Sequence, residues 1–254
     1  MKLLKAMAIA FSIYSKIPVP QFEWKEEDME YMMCFFPWIG GVIGLFFYGW
    51  TVLCEKLVIG NVCYALIAAA IPLMISGGFH VDGYMDTMDA FHSYQSREKK
   101  LEILKDSHIG AFAAIMLALY YMIDIAAISE IHTQKAVSAL AALFFLARCF
   151  SGIAVMTLQP AKKEGLLYTF ASSAQKVRVK AALYFQAALC VVLMLLVSGW
   201  YGAAAIGAAL LSFFYFKKKS YKELGGITGD TAGFFVTVCE AAAAAAVAVT
   251  GYFL

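Results

Sequence analysis

The sequence contains little charge. Asp, Glu, Lys and Arg make up only 15% of the 254 residues, and the formal net charge is +2. So small a charge speaks against a nucleic-acid partner, because nucleic-acid binders concentrate basic residues to neutralise phosphates. The hydrophobic share is 62% and the mean hydropathy is +0.73, far from the values of a soluble domain. This composition predicts an all-α polytopic membrane protein that forms a single integral membrane domain over residues 1–254.

Close cysteine pairs and metal-type histidine pairs are also missing. The six cysteines are scattered through apolar stretches, which argues against a disulfide framework and against a zinc site. The four histidines never occur at HxxxH spacing, so the sequence offers no familiar transition-metal site. Both absences leave the acidic side chains as the main candidates for chemistry.

Stretches that could cross a bilayer recur along the chain. The stretch 181–216 carries no charge, and one helix of that length would overshoot the bilayer, so we predict two spans with a break at residues 198–202. In all, the pattern predicts seven transmembrane helices: 31–54, 57–79, 109–128, 136–157, two within 181–216, and one over 233–254.

The basic residues predict how these spans are oriented. Lys and Arg accumulate in cytoplasmic loops. With a cytoplasmic N-terminus, 17 of the 20 basic residues fall in cytoplasmic segments, whereas the opposite side holds only Lys56 and Lys135. A single span over 181–216 would place the basic cluster 217–222 on the outside, so the charge pattern favours the split.

The segment 76–110, SGGFHVDGYMDTMDAFHSYQSREKKLEILKDSHIG, is predicted to face the cytoplasm and to hold the active site. Asp82, Asp86 and Asp89 are spaced i, i+4 and i+7, so on a helix their carboxylates share one face. Three carboxylates on one face repel each other unless a cation lies among them, and Mg²⁺ prefers such oxygen ligands. The alternative is a solvated acidic helix face.

A glycine-rich stretch, LGGITGDTAG at 224–233, is predicted to lie on the same side of the membrane. Gly225, Gly226 and Gly229 are candidates for bringing backbone N–H groups to a phosphate at a helix N-terminus. Asp230 has two open roles: it could complete a metal site, or it could cap the last helix.

Two charged residues, Arg148 and Glu240, lie inside predicted spans and need partners. Counted from the cytoplasmic ends of their helices, the two lie at similar depth, about 13 Å and 10 Å at 1.5 Å per residue. One interpretation is a structural ion pair between helices. The other is a polar layer beneath the active site, in which Arg148 binds a phosphate and Glu240 is a further metal candidate.

Carboxylates suited to Mg²⁺, a glycine-rich loop and a membrane setting together indicate chemistry on a phosphate ester or a diphosphate. An ion-coupled or proton-coupled transporter that uses intramembrane acids is the alternative. The clustering of the acids in one cytoplasmic segment and the lack of an inverted repeat argue against a transporter.

Several motifs carry a resemblance to a known family. GGFHVDGYMDTMDAF followed by EKKLEILKDSHIGAFA resembles the signature of the cobalamin synthase family, adenosylcobinamide-GDP ribazoletransferase. FSIYSKIPVP, FFPWIGGVIG, LARCFSGIAVMTLQPAKKEGL and GGITGDTAGFFVTVCE extend the similarity over nearly the whole chain. After Asp89 the chain reads Ala90-Phe91-His92-Ser93, where the family often has a glycine-rich stretch, so the shape of this loop is not implied by the resemblance.

The resemblance implies a multi-pass enzyme of a prokaryotic cytoplasmic (inner) membrane that needs Mg²⁺. It would join adenosylcobinamide-GDP to α-ribazole, or to its 5′-phosphate, and release GMP, with other cobalamin-assembly enzymes as candidate partners. Asp82, Asp86 and Asp89 would bind metal, one of them acting as the base, and His80 would orient an aspartate or bind phosphate. The remaining implied contacts are to metal or nucleotide, through Asp106 and Asp230, and to substrate, through Lys105 and Ser107.

Overall fold

The computed structural model describes residues 2–20, 23–162 and 166–254. The last three residues of the QPAKKEG motif, 163–165, lie outside the described residues. Apart from one isolated bridge between Pro160 and Ile227, the described residues are helical or irregular. The helices are α1 (Lys2–Tyr14), α2 (Phe36–Leu57), α3 (Asn61–Ser76), α4 (Phe79–His92), α5 (Arg97–Ile103), α6 (Ala111–Ile128), α7 (Gln134–Thr157), α8 (Leu166–Ser173), α9 (Lys176–Ser198), α10 (Trp200–Leu224) and α11 (Gly229–Gly251).

The chain is an all-α polytopic membrane protein, as its composition predicts. Five described helices, α2, α6, α7, α9 and α11, are long and apolar enough to cross a membrane. The consecutive helices α3 and α4 pass the same test together but are bent by 96°, which gives up to six candidates. Seven spans therefore stay a prediction, as does the cytoplasmic N-terminus.

The predicted break in the apolar stretch 181–216 is confirmed. Helix α9 ends at Ser198 and α10 begins at Trp200. Gly199 makes the turn with a φ of 57°, in the left-handed region that favours glycine. At Gly202 a side chain would lie 2.3 Å from the carbonyl oxygen of Met194, so the two helices leave the turn in close contact.

Helix α7 lies at the centre of the bundle and packs against α2, α9, α10 and α11. Its contact with α2 is close because Gly40 and Gly44 face it. A Cβ atom at Gly40 would lie 2.1 Å from the carbonyl oxygen of Phe144, and one at Gly44 would lie 2.2 Å from that of Ala141. Small residues one helical turn apart commonly bring membrane helices into backbone contact.

The chain changes direction between α3 and α4 at a pair of glycines. Gly77 and Gly78 both have positive φ, 66° and 85°, and α4 begins directly after them. The span predicted over 57–79 therefore ends as a helix at Ser76. The 96° bend sets the polar helix α4 across the bundle, where it packs against α6 and α11.

Candidate active site

The predicted helical face of three aspartates is present on α4. Asp82, Asp86 and Asp89 all lie within the continuous helix Phe79–His92, with Asp82 exposed and the other two partly buried. Asp86 is close enough to Asp82, Asp89 and Asp230 to be destabilised electrostatically by all three negative charges. The crowded carboxylates therefore include one from a second helix, α11, 141 positions after Asp89 in the sequence.

Asp230 reaches this cluster because α4 and α11 meet backbone to backbone. A Cβ atom at Gly83 would lie 2.8 Å from the carbonyl oxygen of Asp230, and one at Gly233 would lie 3.1 Å from that of His80. The capping role that the sequence left open for Asp230 belongs to Thr228, whose hydroxyl accepts a hydrogen bond from the Thr231 N–H at 3.1 Å. Asp230 lies in the first turn of α11 and is not its N-cap residue.

Asp89 differs from its two neighbours on α4. Its carboxylate accepts hydrogen bonds from the backbone N–H of Gly110 at 2.7 Å and of Ala113 at 2.8 Å. These two N–H groups belong to the N-terminus of α6, so Asp89 connects α4 to α6. Its negative charge also interacts favourably with the positive end of the α6 dipole. Its predicted role as a metal ligand stays a prediction, and the structure gives it this second role.

A cavity of about 460 Å³ opens beside the carboxylates. Five of the predicted site residues line it: His80, Asp82, Lys105, Gly229 and Asp230. The sequence did not single out the remaining lining residues: Tyr14, Met33, Phe36, Phe79, Gly83, Leu104, Ser151, Val155, Lys162, Leu167, Ile227, Thr228, Ala232 and Gly233. The cavity therefore joins an acidic edge, two lysines and a largely apolar wall.

A second cavity, of about 510 Å³, shares Phe79 and Asp82 with the first as lining residues. It is bordered by α1, the turn between α3 and α4, and α6, with Lys16 and Tyr121 among its lining residues. Asp82 borders both cavities. This carboxylate is therefore accessible from two cavities, as a reaction that joins two substrates would require.

His80 is buried at the apolar end of the first cavity. Its side chain is 5% exposed, and both ring nitrogens lack a hydrogen-bond partner among the described residues. Three aromatic rings surround it: Phe36 and Phe79, each with a centroid 5.6 Å away, and Tyr14 at 6.2 Å. No charge and no spacing in the sequence links Tyr14 or Phe36 to His80, so the rings could not be predicted.

Arg148 and Glu240 form the ion pair that their matched depth predicted. Arg148 Nη1 donates to Glu240 Oε1 at 2.8 Å, with the two side chains 1% and 8% exposed. The same nitrogen donates to the carbonyl oxygen of Phe144 at 2.8 Å. Neither Arg148 nor Glu240 lines either cavity, and the predicted phosphate-binding role of Arg148 and metal-binding role of Glu240 stay predictions.

Gly225 and Gly226, predicted to bind phosphate, lie at a packing contact. Gly225 ends α10 with a φ of 73° and lies against the guanidinium group of Arg97. A Cβ atom at Gly226 would lie 2.6 Å from the carbonyl oxygen of Gln159. Of the three predicted glycines, Gly229 alone lines a described cavity.

The turn that follows α5 carries Asp106 and Ser107, both exposed and outside the two cavities. Asp106 accepts hydrogen bonds from the ring nitrogen Nδ1 of His108 at 2.6 Å and from the His108 backbone N–H at 3.0 Å. The hydrogen bond from the His108 side chain is the main reason that the pKa of Asp106 is lowered. These contacts place Asp106 in a local turn, apart from the α4 carboxylates.

The side chains of this site are of the type that binds Mg²⁺, but they are too few to surround the ion. Asp82, Asp86 and Asp230 supply carboxylate oxygens, the ligands that this cation prefers. Yet no group of three or more His, Cys, Asp or Glu side chains within the described ranges is arranged to hold a metal ion on its own. Any cation here would need further oxygen ligands from substrate or water.

Comparison with known proteins gives a consistent result. The family model for cobalamin-5-phosphate synthase matches residues 6–248. Three similar proteins, each named adenosylcobinamide-GDP ribazoletransferase, come from Lachnoclostridium phytofermentans (44% identical over 98% of this chain and 95% of the relative), Clostridium botulinum strain Alaska E43 (32%, 94% and 94%) and Clostridium perfringens strain SM101 (30%, 93% and 94%). No solved structure matches this chain.

Proposed function

The chain belongs to the cobalamin-5-phosphate synthase family, and we propose that it is the transferase that joins adenosylcobinamide-GDP to α-ribazole or its 5′-phosphate. The observation that carries this proposal is the family match over nearly the whole chain, which includes every residue of the carboxylate cluster. The relatives do not favour the transporter alternative, because they are named as transferases.

The reaction is a phosphoryl-group substitution. A hydroxyl oxygen of the ribazole attacks the phosphorus on the cobinamide side of the diphosphate, and the bond from that phosphorus to the oxygen of GMP breaks. The hydroxyl proton passes to a carboxylate of the cluster, and GMP leaves as a phosphate monoester. Asp82 borders both cavities, so it is the best placed acceptor for this proton.

Side chains around the cavity suit a diphosphate substrate. Lys105 and Lys162 line the same cavity as Asp82 and bring positive charge to it. The N-terminus of α11, at Gly229, adds the positive end of a helix dipole. Such groups position the substrate and balance its negative charge, which are the main demands of this chemistry.

Asp82, Asp86 and Asp230 are the residues proposed to hold Mg²⁺. When bound, this ion would neutralise charge on the diphosphate and on the departing GMP. The mutual repulsion of these carboxylates supports the assignment, because a cation among them removes it. Oxygens of the diphosphate would supply the ligands that the side chains do not.

The test is GMP release by the purified protein from adenosylcobinamide-GDP and α-ribazole. We expect release to need both substrates and Mg²⁺. Asp82→Asn and Asp86→Asn should each lower turnover by roughly two powers of ten. Losing one ligand charge removes several kcal/mol of transition-state stabilisation, and each 1.36 kcal/mol changes the rate tenfold. Added Mg²⁺ should restore part of the loss.

The matched control is Glu98→Gln, which removes an exposed carboxylate on α5 and should leave turnover unchanged. Wild-type turnover and wild-type Mg²⁺ dependence in both aspartate variants would contradict the metal assignment. Absence of GMP release from the wild-type protein with both substrates and Mg²⁺ would contradict the proposed reaction itself.

We also propose that the site faces the cytoplasm in a prokaryotic inner membrane. Two predicted cytoplasmic segments are in contact: Lys100 of α5 pairs with Glu223 near the end of α10. Within α10, Glu223 also pairs with Lys219. A third predicted cytoplasmic segment contacts α5 through Lys162, whose ammonium group donates a hydrogen bond to the carbonyl oxygen of Leu101 at 2.7 Å. Basic segments gathered at one end support a common cytoplasmic side.

Cysteine labelling in intact cells tests this orientation. In a background that lacks the exposed Cys63, Lys218→Cys should be protected from an impermeant thiol reagent until the membrane is permeabilised. Lys135→Cys, on the opposite side in the predicted topology, should react at once. Immediate labelling at Lys218→Cys would reverse the proposed orientation.

A further inference from the structure

The second cavity has one cation and one carboxylate among its described lining residues. Lys16 supplies the positive charge and Asp82 the negative charge. Its volume of about 510 Å³ lies within the ~300–1,000 Å³ that is typical of small-molecule sites. Apolar side chains of α3, α4 and α6 form one wall, namely Leu73, Met85 and Leu117. The cavity therefore suits a ligand with an anionic group, a group that gives up a proton and an apolar body.

Two contacts hold Lys16 at this cavity. Its backbone N–H donates to the carbonyl oxygen of Ile75 at 2.8 Å, which fixes the segment after α1 against the end of α3. Its aliphatic stem lies over Gly77, where an added Cβ atom would clash with Lys16 Cε. The Lys16 side chain is exposed and forms no salt bridge with a carboxylate within the described ranges. Its ammonium group can therefore bind an anion without first breaking an ion pair.

The turn between α3 and α4 adds further donors beside Lys16. Gly78 is the N-cap residue of α4, and no side chain caps the first N–H groups of this helix. Ser76, the last residue of α3, lines the cavity and is 7% exposed, yet its hydroxyl makes no hydrogen bond among the described residues. A buried hydroxyl without a partner costs free energy, and a bound phosphate oxygen would remove that cost. The cation, the hydroxyl and the helix N-terminus together form a site for an anion.

We infer that the second cavity binds the acceptor substrate as α-ribazole 5′-phosphate, with the 5′-phosphate on Lys16 and Ser76. The inference rests on the proposed function, which supplies the substrate, and it adds the cavity and the residues that bind it. A phosphomonoester carries a charge of about −1.5 to −2 at pH 7, which a cation and a helix N-terminus both favour. The benzimidazole packs against the apolar wall. The attacking ribose hydroxyl lies at Asp82, the carboxylate proposed to take its proton.

The diphosphate substrate fits the first cavity better. Asp230, a proposed Mg²⁺ ligand, lines the first cavity and not the second. Lys105 and Lys162 line the first cavity as well. Because Mg²⁺ would neutralise the diphosphate, that substrate belongs with Asp230, and the acceptor belongs with Lys16. Asp82 lines both cavities and is then within reach of both substrates.

Binding of two acceptor substrates isolates the phosphate contact. α-Ribazole 5′-phosphate and α-ribazole differ only in the phosphate, and calorimetric titration of the purified protein in detergent, without the diphosphate substrate, measures the affinity for each. The wild type should bind the 5′-phosphate roughly tenfold more tightly, the lower end of the range for a hydrogen bond to a charged group, because Lys16 is exposed. Lys16→Met keeps the stem over Gly77 but removes the charge, so it should abolish this preference. Lys16→Arg should keep it.

Two other lysines provide matched controls. Lys2→Met removes an exposed positive charge from α1 outside both cavities and should keep the full preference. Lys105→Met, in the first cavity, should also keep it. In turnover, Lys105→Met should raise the KM for adenosylcobinamide-GDP, whereas Lys16→Met should raise only the KM for the 5′-phosphate. Ser76→Ala should lower the affinity for the 5′-phosphate roughly 3–10-fold, the ratio for one hydrogen bond, and leave the affinity for α-ribazole unchanged.

A lipid headgroup is the other source of a phosphomonoester in a membrane. Short-chain phosphatidic acid, titrated under the same conditions, separates the two sources. We expect Lys16→Met to leave the binding of phosphatidic acid unchanged. Loss of that binding in Lys16→Met, together with equal affinity of the wild type for the two ribazoles, would assign the site to a lipid and overturn the inference.

The outcomes separate the inference from the function on which it rests. GMP release by the wild type, together with equal affinity for α-ribazole and its 5′-phosphate, would overturn the inference and leave the function intact. An unchanged preference in folded Lys16→Met would do the same. A preference that depends on Lys16, in a wild-type protein that releases no GMP, would uphold the site and reject the proposed reaction. If Lys16→Met does not fold, Ser76→Ala decides, and an unchanged affinity for the 5′-phosphate overturns the inference.

Discussion

Removing Arg148 should destabilise the protein strongly, because it strands a buried carboxylate. Glu240 is 8% exposed and receives its hydrogen bond from Arg148 at 2.8 Å. Arg148→Met keeps most of the apolar stem but removes the guanidinium charge. Glu240 then has to remain charged without a partner or take up a proton, and both alternatives cost free energy that the native pair does not.

The magnitude follows from two contributions. The hydrogen bond itself is worth about 1 kcal/mol, and polar contacts between membrane helices average about 0.6 kcal/mol. The cost of leaving Glu240 buried without its partner is larger, since removing one member of a buried ion pair costs ~3–5 kcal/mol. Replacing both partners by apolar residues of similar size avoids that cost. Arg148→Met with Glu240→Met should therefore lie within about 1 kcal/mol of the wild type.

Unfolding in detergent micelles, followed by circular dichroism, measures all four members of this double-mutant cycle. We expect both single variants to unfold far more readily than the double variant, with a coupling free energy of a few kcal/mol. Equal stability of Arg148→Met and the wild type would refute the reasoning. If such a stable variant had also lost GMP release, the data would favour the phosphate-binding role that the sequence left open for Arg148.

Two further perturbations test contacts around the site. Gly110→Ala places a Cβ atom 2.5 Å from the Asp89 carboxylate and should disturb its contact with the N-terminus of α6. We expect a loss of about 0.5–2 kcal/mol in the same unfolding measurement, the range for a helix cap. Gly49→Ala, whose Cβ would have open space around it, should not show this loss. The Lys100 side chain, through its hydrogen bond, is the main reason that the pKa of Glu223 is lowered below its ordinary value of 4.5. A lowered carboxylate pKa adds stability above pH 4.5 that is lost as the pH falls through the folded value. Lys100→Met should therefore flatten the decline in stability below pH 4.5, and an unchanged decline would contradict this role of the pair.

Local patterns in the sequence predicted part of this site. The spacing of Asp82, Asp86 and Asp89 placed them on one helical face, because the helical repeat alone decides that relation. Counting residues from the helix ends predicted the contact between Arg148 and Glu240, because both helices cross the same layer. The break between α9 and α10 followed from the length of the apolar stretch and from its charged flanks.

Other parts of the site depend on contacts that no local pattern contains. Asp230 joins the cluster because two backbones approach closely at Gly83. Asp89 has a second role because the N-terminus of α6 lies beside it. The packing of three helices brings Tyr14 and Phe36 into contact with His80, and in the sequence these rings are only apolar residues of their own segments.

The contact between Arg148 and Glu240 has a consequence for how the protein is made. The two residues are 92 positions apart in the chain. A ribosome that adds about 5–20 residues per second completes Glu240 roughly 5–18 seconds after Arg148. In that interval a cation in the middle of a helix opposes entry into lipid by about 2.5–3.5 kcal/mol. The Phe144 carbonyl, one turn earlier on α7, is the partner already present, and α11 completes the neutralisation last. The charge of Arg148 is therefore neutralised fully only after α11 has been synthesised and has packed against α7.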